Sequence, residues 1–185
     1  QTIHHALLLN YHQPAGNLQH LLHERPWEAQ EILLAIDRLS QAMTGYEDIA
    51  RVHPIFSGLL LEQLKDPSLQ EQVYGTVKLG DMLYRLQDPS VIGHLGTGYY
   101  HPVFPLVPQE DWPDQIGRWQ ELATHLFPQH ACPGFWPPEM GLSEAMIPYL
   151  KNAGYTYVLA DVWNVEPENP DMRWEELRYQ PHIAE

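Results

Sequence analysis

Residues Trp136-Pro137-Pro138-Glu139 place one carboxylate behind two prolines and a tryptophan. The prolines limit the backbone freedom of Glu139, and the indole of Trp136 can wall off water and shape a sugar subsite. A carboxylate held this way suits nucleophilic attack at an anomeric carbon. Retaining glycoside cleavage uses one carboxylate as nucleophile and a second, protonated one as acid, roughly 5–5.5 Å away. Other residues of useful chemistry follow short apolar runs: Asn10, His12 and Gln13 after "IHHALLL", Tyr99-Tyr100-His101 after "SVIGHLG", and Asp161 after "YTYVLA". Neutral histidines such as His12 and His101 can hydrogen-bond sugar hydroxyls or hold a carboxylate ionised.

These residues need elements to carry them. Residues 3–11 read as a strand stopped by Pro14, which has no N–H for a ladder. Apolar residues at helical spacing predict helices over Trp27 to Met43, Pro54 to Leu64, Ser68 to Leu86 and residues 113–126. Short strands are expected near 91–95 and 132–136. A helix is expected over 142–153, with Ser143 as its N-cap, Pro148 bending it and Gly154 just past its end. Residues 155–161 close the pattern as a β-branched, aromatic strand. Alternating strands and helices predict an α/β parallel layer or barrel, whose ligands sit at the C-terminal ends of the strands. The polar residues named above all fall at such ends. A full barrel needs about eight strands in its common version, more than these residues supply, so the chain reads as part of a domain.

Composition narrows the partners. The formal net charge is −14, from 10 basic and 24 acidic side chains. That excess works against nucleic acid or an anionic membrane, which attract cationic surfaces. A neutral carbohydrate meets no such repulsion. No apolar run approaches the ~18 residues of a membrane span. "QTIHHALLLNYHQP" has neither the basic segment nor the cleavage site of a signal peptide, and its lack of an initiator Met suggests processing or a cut boundary. One cysteine, Cys132, permits no internal disulfide and fits a reducing, cytoplasmic setting.

Three stretches in order, "LLLNYHQPAGNL", "GTGYYHPVFPLV" and "GFWPPEMGLSEAMIPYLKNAGYTYVLAD", resemble the first three signatures of glycoside hydrolase family 57. The resemblance implies an incomplete (β/α)7 barrel of the glycoside hydrolase/deacetylase type, truncated so that residues 1–185 are the N-terminal portion of one catalytic domain. It implies a retaining hydrolase or glucanotransferase acting on α-glucans, with Glu139 as nucleophile. It also places His12, Gln13, His101, Trp136 and Asp161 at the substrate, with no cofactor. Water as acceptor gives a hydrolase and a sugar hydroxyl gives a transferase; both stay open. Asn10 stands where many members carry histidine. The family's acid/base aspartate belongs to a fourth signature, which does not occur before Glu185, so this chain alone is expected to have little hydrolase activity.

Each residue also has a plainer role. Glu139 would suit the N-terminal end of a helix dipole, His12 a loop, Trp136 a core, and Asp161 a strand end or turn cap. A carbohydrate-binding or regulatory remnant without turnover is the alternative from another class. A metal-dependent polysaccharide deacetylase is a third. No H-x-x-x-H or H-E-x-x-H pair occurs, and adjacent His4 and His5 would face opposite sides of a strand, so no metal is expected. Nucleophilic Ser or Cys chemistry finds no G-x-S-x-G, and Cys132 has no partner base in the sequence.

Overall fold

A computed structural model describes residues 5–49 and 51–182, with only the backbone of Asn164. The elements are β1 (Leu7–Tyr11), α1 (Asn17–Glu24), α2 (Pro26–Ala42), β2 (Val52–Phe56), α3 (Gly58–Lys65), α4 (Pro67–Val73), α5 (Leu79–Arg85), α6 (Trp112–Leu126), β3 (Gly134–Phe135), α7 (Ile147–Asn152), β4 (Tyr157–Val158) and α8 (Trp174–Tyr179). The first expected strand is therefore shorter, and Ile3 and His4 lie outside the described residues.

β1 and β2 run parallel from Leu7↔Val52 to Tyr11↔Phe56, and β3 pairs parallel with β4. Segment 91–96 joins the two pairs through single parallel bridges, Val52↔Ile92 and Gly96↔Phe135. The strands thus neighbour one another in chain order without reversal. That is the order of a closing barrel rather than of a doubly wound sheet. Helices cover one side: Leu33, Leu60, Leu61, Leu64 and Leu69 are fully buried in one core with Trp119 and Phe127. A smaller core gathers Phe104, Trp112, Ile116, Phe135, Met146, Leu150 and Tyr155.

Several expectations are corrected. The helix predicted from Pro54 is a strand followed by a helix: Pro54 lies inside β2, and α3 starts only at Gly58. Proline is tolerated there for a reason visible in the bonding. Val52 N–H donates to Val91 O on the side away from β1, and Pro54, two residues on, turns its nitrogen to that same side. The carbonyl it would have met, that of Gly93, lies 3.0 Å from His53 Nδ1 instead. A side chain thus fills the gap that proline leaves in the ladder.

The helix predicted over Ser68 to Leu86 is two. It breaks after Val73, where the N–H groups of Thr76 and Val77 both donate to Val73 O. Gly75 and the β-branched pair Thr76-Val77 are poor helix formers, and they outweigh the continuing apolar period. The strand expected near 91–95 shrinks to bridges, and those over 132–136 and 155–161 to two residues each. The helix over 142–153 begins as a 3₁₀ turn, Glu144–Met146, and becomes α7 only at Ile147. Pro148 is therefore in the first turn, where its missing N–H costs nothing and no bend is needed. Ser143 makes no side-chain cap bond, whereas Gly154, at φ 88°, does follow the helix end.

Candidate active site

The first strand delivers His12 onto a platform built by α3. Ser57 N–H donates to Tyr11 O at 3.1 Å, and Nδ1 of His12 lies 2.8 Å from Ser57 Oγ. Ser57 is also the N-cap of α3, its hydroxyl accepting from Leu60 N–H at 3.3 Å. One turn further along α3, buried Gln63 donates to Pro14 O at 2.9 Å and accepts from Leu18 N–H at 3.0 Å. The His12-Gln13-Pro14 loop and the start of α1 are thereby fixed to one helix by three side-chain bonds.

The same helix positions His101. Leu59 N–H donates to Tyr99 O at 3.2 Å, and Gly58 makes room for the Tyr99 ring: a Cβ at position 58 would stand 2.3 Å from it. Two residues later the His101 ring stacks on that of His12, with centroids 4.2 Å apart and planes 15° from parallel. Nε2 of His101 is 3.4 Å from Asn10 Oδ1. Trp136, whose backbone N–H donates to Gly96 O at 2.8 Å, tilts its ring against His101 at 5.8 Å between centroids.

Glu139 completes the group from a 3₁₀ turn, Pro138–Met140, with its side chain exposed. It has a left-handed backbone, φ 55° and ψ 23°. Among the described residues the non-glycine positions with positive φ are His101, Glu139 and Met140. Such conformations cost of order 1–3 kcal/mol each and persist where surrounding structure overrides them. Here buried Pro137 and Pro138 and the bonds Met140 N–H to Pro137 O (2.9 Å) and Gly141 N–H to Pro138 O (3.0 Å) hold the turn. The helix-dipole role for Glu139 loses its support, because α7 starts well beyond it at Ile147.

The electrostatics link these groups. Burial of the ring lowers the His12 pKa, and the Glu139 charge opposes that shift. His101 falls to about 4, mainly through burial and then the neighbouring His12, with Glu139 again pulling upward. Near neutral pH His101 is therefore uncharged, a hydrogen-bonding ring beside an acidic side chain.

The structure thus brings together four of the residues picked from the sequence: His12, His101, Trp136 and Glu139. Gln13 and Asp161 are occupied locally. Gln13 Oε1 accepts from Asn17 Nδ2 at 2.6 Å, and Asp161 Oδ1 caps the following turn by accepting from Trp163 N–H at 3.1 Å. Ser57 was missed. The strand-end rule points to it, but only once Val52–Phe56 is recognised as a strand rather than as the start of a helix. Two clefts lie elsewhere, one of about 380 Å³ lined by Ser40, Tyr84 and Arg85 and one of about 430 Å³ lined by Glu62, Tyr99 and Arg118. Among the described residues no three His, Cys, Asp or Glu side chains are placed to hold a metal. No helix of the described residues is long and apolar enough to cross a membrane.

Known proteins agree with this architecture. The α-amylase 1 of Dictyoglomus thermophilum is 29% identical over 164 residues, covering 87% of this chain and 21% of that protein. The α-amylase AmyC of Thermotoga maritima superposes with a TM-score of 0.62 at 18% identity, over 85% of this chain and 39% of that one. A branching enzyme of Pyrococcus horikoshii also gives 0.62, at 14% identity over 83% and 41% of the two chains. A 4-α-glucanotransferase of Thermococcus litoralis gives 0.55 at 24% identity, over 85% and 22%. The chain thus spans about a fifth of the curated relative and less than half of these solved ones. The solved structures show the fold: this is part of an incomplete (β/α)7 barrel. The family model described as glycosyl hydrolase family 57 matches residues 56–179, and the chain belongs to that family.

Proposed function

We propose that residues 1–185 are the N-terminal portion of a single barrel domain that cleaves or transfers α-glucans with retention, Glu139 being the nucleophile. One observation carries this reading. A carboxylate on a left-handed, proline-fixed backbone acts electrostatically on a stacked pair of imidazoles that burial keeps from charging. In the mechanism, Glu139 attacks the anomeric carbon as the glycosidic bond breaks, and a glycosyl ester forms on its carboxylate. Water or a sugar hydroxyl then displaces it. His12 and His101 hydrogen-bond the sugar held at the nucleophile, and Trp136 offers an apolar face to its ring. The family resemblance assigns Gln13 and Asp161 to the sugar as well, although each side chain is bonded within its own loop. The names of the relatives, amylases, a glucanotransferase and a branching enzyme, support an α-glucan as substrate. The net charge of −14 fits a neutral polysaccharide partner, and a single cysteine fits a reducing cytoplasm.

The leaving oxygen also needs a proton donor, worth about 10²–10⁴-fold. The signature that would supply it is not found in these residues, so the test uses a longer polypeptide containing them. A fluorinated glucosyl donor that traps the glycosyl ester should label Glu139, read by peptide mass mapping. A label on another residue, or turnover without any label and undiminished in Glu139→Gln, overturns the assignment. Glucan binding without turnover in the longer polypeptide would favour the carbohydrate-binding reading instead.

A further inference from the structure

Ser57 Oγ is wholly buried and has two polar neighbours among the described residues. It accepts from Leu60 N–H at 3.3 Å and lies 2.8 Å from His12 Nδ1. A hydroxyl has one hydrogen to give. If His12 Nδ1 carried the proton, Ser57 Oγ would accept two bonds. Its own hydrogen would then point into a buried space with no acceptor among the described residues, a disfavoured arrangement. If Nδ1 is bare, the Ser57 hydroxyl donates to it while accepting from Leu60, and every group is satisfied.

We propose that Ser57 is a positioning residue that holds the proton of His12 on Nε2, so that the edge of the ring turned away from Ser57 is always a hydrogen-bond donor. The α3 N-cap orients the hydroxyl, the hydroxyl selects the tautomer, and the tautomer sets what His12 can recognise: an acceptor oxygen on the ligand. Burial lowers the His12 pKa, which keeps the ring neutral near pH 8 and makes the tautomer the variable that matters. The step from tautomer to ligand rests on His12 as a substrate contact; the tautomer itself does not.

The test is two-bond ¹H–¹⁵N NMR on the histidine-labelled 185-residue protein at pH 8. The parent should show His12 as the Nε2–H form alone. Ser57→Gly removes the hydroxyl yet retains a residue well accepted at the N-cap, so α3 persists. In that variant His12 should become an averaged mixture of tautomers, while Ser57→Thr keeps the single form. An Nδ1–H form in the parent, or an unchanged His12 in Ser57→Gly, overturns the proposal. In a longer, active polypeptide Ser57→Gly should lose about 10-fold in kcat/KM, as expected for one misdirected hydrogen bond, and Ser57→Thr should recover it. The NMR outcome needs no turnover. A single Nε2–H form without labelling of Glu139 would leave the role of Ser57 standing and remove the glycosidase reading, and the converse would do the opposite.

Discussion

Among the described residues two pairs of histidine rings lie in contact, and they serve opposite ends. His12 and His101 stack at 4.2 Å where strands end, beside an exposed carboxylate. His94 and His130 meet edge to face at 4.6 Å inside the larger core's margin, His94 lying flat on Phe127 at 3.9 Å with a ring nitrogen 2.9 Å from Leu86 O. Burial lowers the pKa of all four, His94 furthest, to about 3. A depressed histidine is therefore no mark of a site here. What separates the pairs is the surroundings: His94 is spent on packing and a backbone carbonyl, whereas the first pair faces a carboxylate held in a strained turn.

The largest effect that can break this contrast is on turnover. In a longer, active polypeptide, Glu139→Gln should reduce glucan cleavage on the order of 10⁴-fold or more, because the amide cannot take the nucleophilic role of the carboxylate. Its urea midpoint should scarcely move, since the side chain is exposed. An activity loss matched by a stability loss would mean that Glu139 is structural. His94→Ala should do the reverse. It removes a ring that is 2% exposed together with its bond to Leu86 O, costing about 2–4 kcal/mol in urea unfolding with little change in kcat. A cost below about 0.5 kcal/mol would place His94 outside the load of the core.

How much of this was legible beforehand depends on what fixes each feature. The Glu139 turn and the His12 and His101 loops could be found because proline and aromatic residues mark them locally. Helices α2 and α6 were found because their apolar stripes are long. β2 was missed because Pro54 argues against a strand, and the His53 bond that makes it tolerable joins residues far apart in sequence. With β2 went Ser57. Helix α1 was missed as well, although Leu18 and Leu21 are buried, since its first turn depends on a bond from Leu18 N–H to Gln63 on another helix. The division of α4 from α5 lay in Gly75-Thr76-Val77, a weak signal inside a strong period. Local chemistry was readable; partners that only the fold supplies were not.

A smaller effect lies in the acid limb of stability. His94 has a folded value near 3, below the ordinary 6.5 that the unfolded chain shows. Between those limits only the unfolded state takes up this proton, so the stabilisation is complete above pH 6.5 and is lost as pH falls toward 3. Each pH unit in that window removes about 1.4 kcal/mol through this group. His94→Gln, which can still donate to Leu86 O, should show a correspondingly shallower decline between pH 6 and pH 4 in urea titrations. An identical slope in the two proteins would mean that His94 is not the buried group that resists protonation.

The finest test compares both pairs in one experiment. The charge of Glu139 raises the pKa values of His12 and His101 against the larger effect of burial, whereas the shifts of His94 and His130 have no contribution from it. Neutralising it in Glu139→Gln should therefore move the NMR titrations of His12 and His101 further down and leave those of His94 and His130 in place. The sign is the useful part. Substrate, activity and the rest of the barrel do not enter, so the measurement asks only whether this carboxylate faces these two rings. Unchanged midpoints for His12 and His101 would detach Glu139 from them, and with it the reason for regarding its strained turn as catalytic.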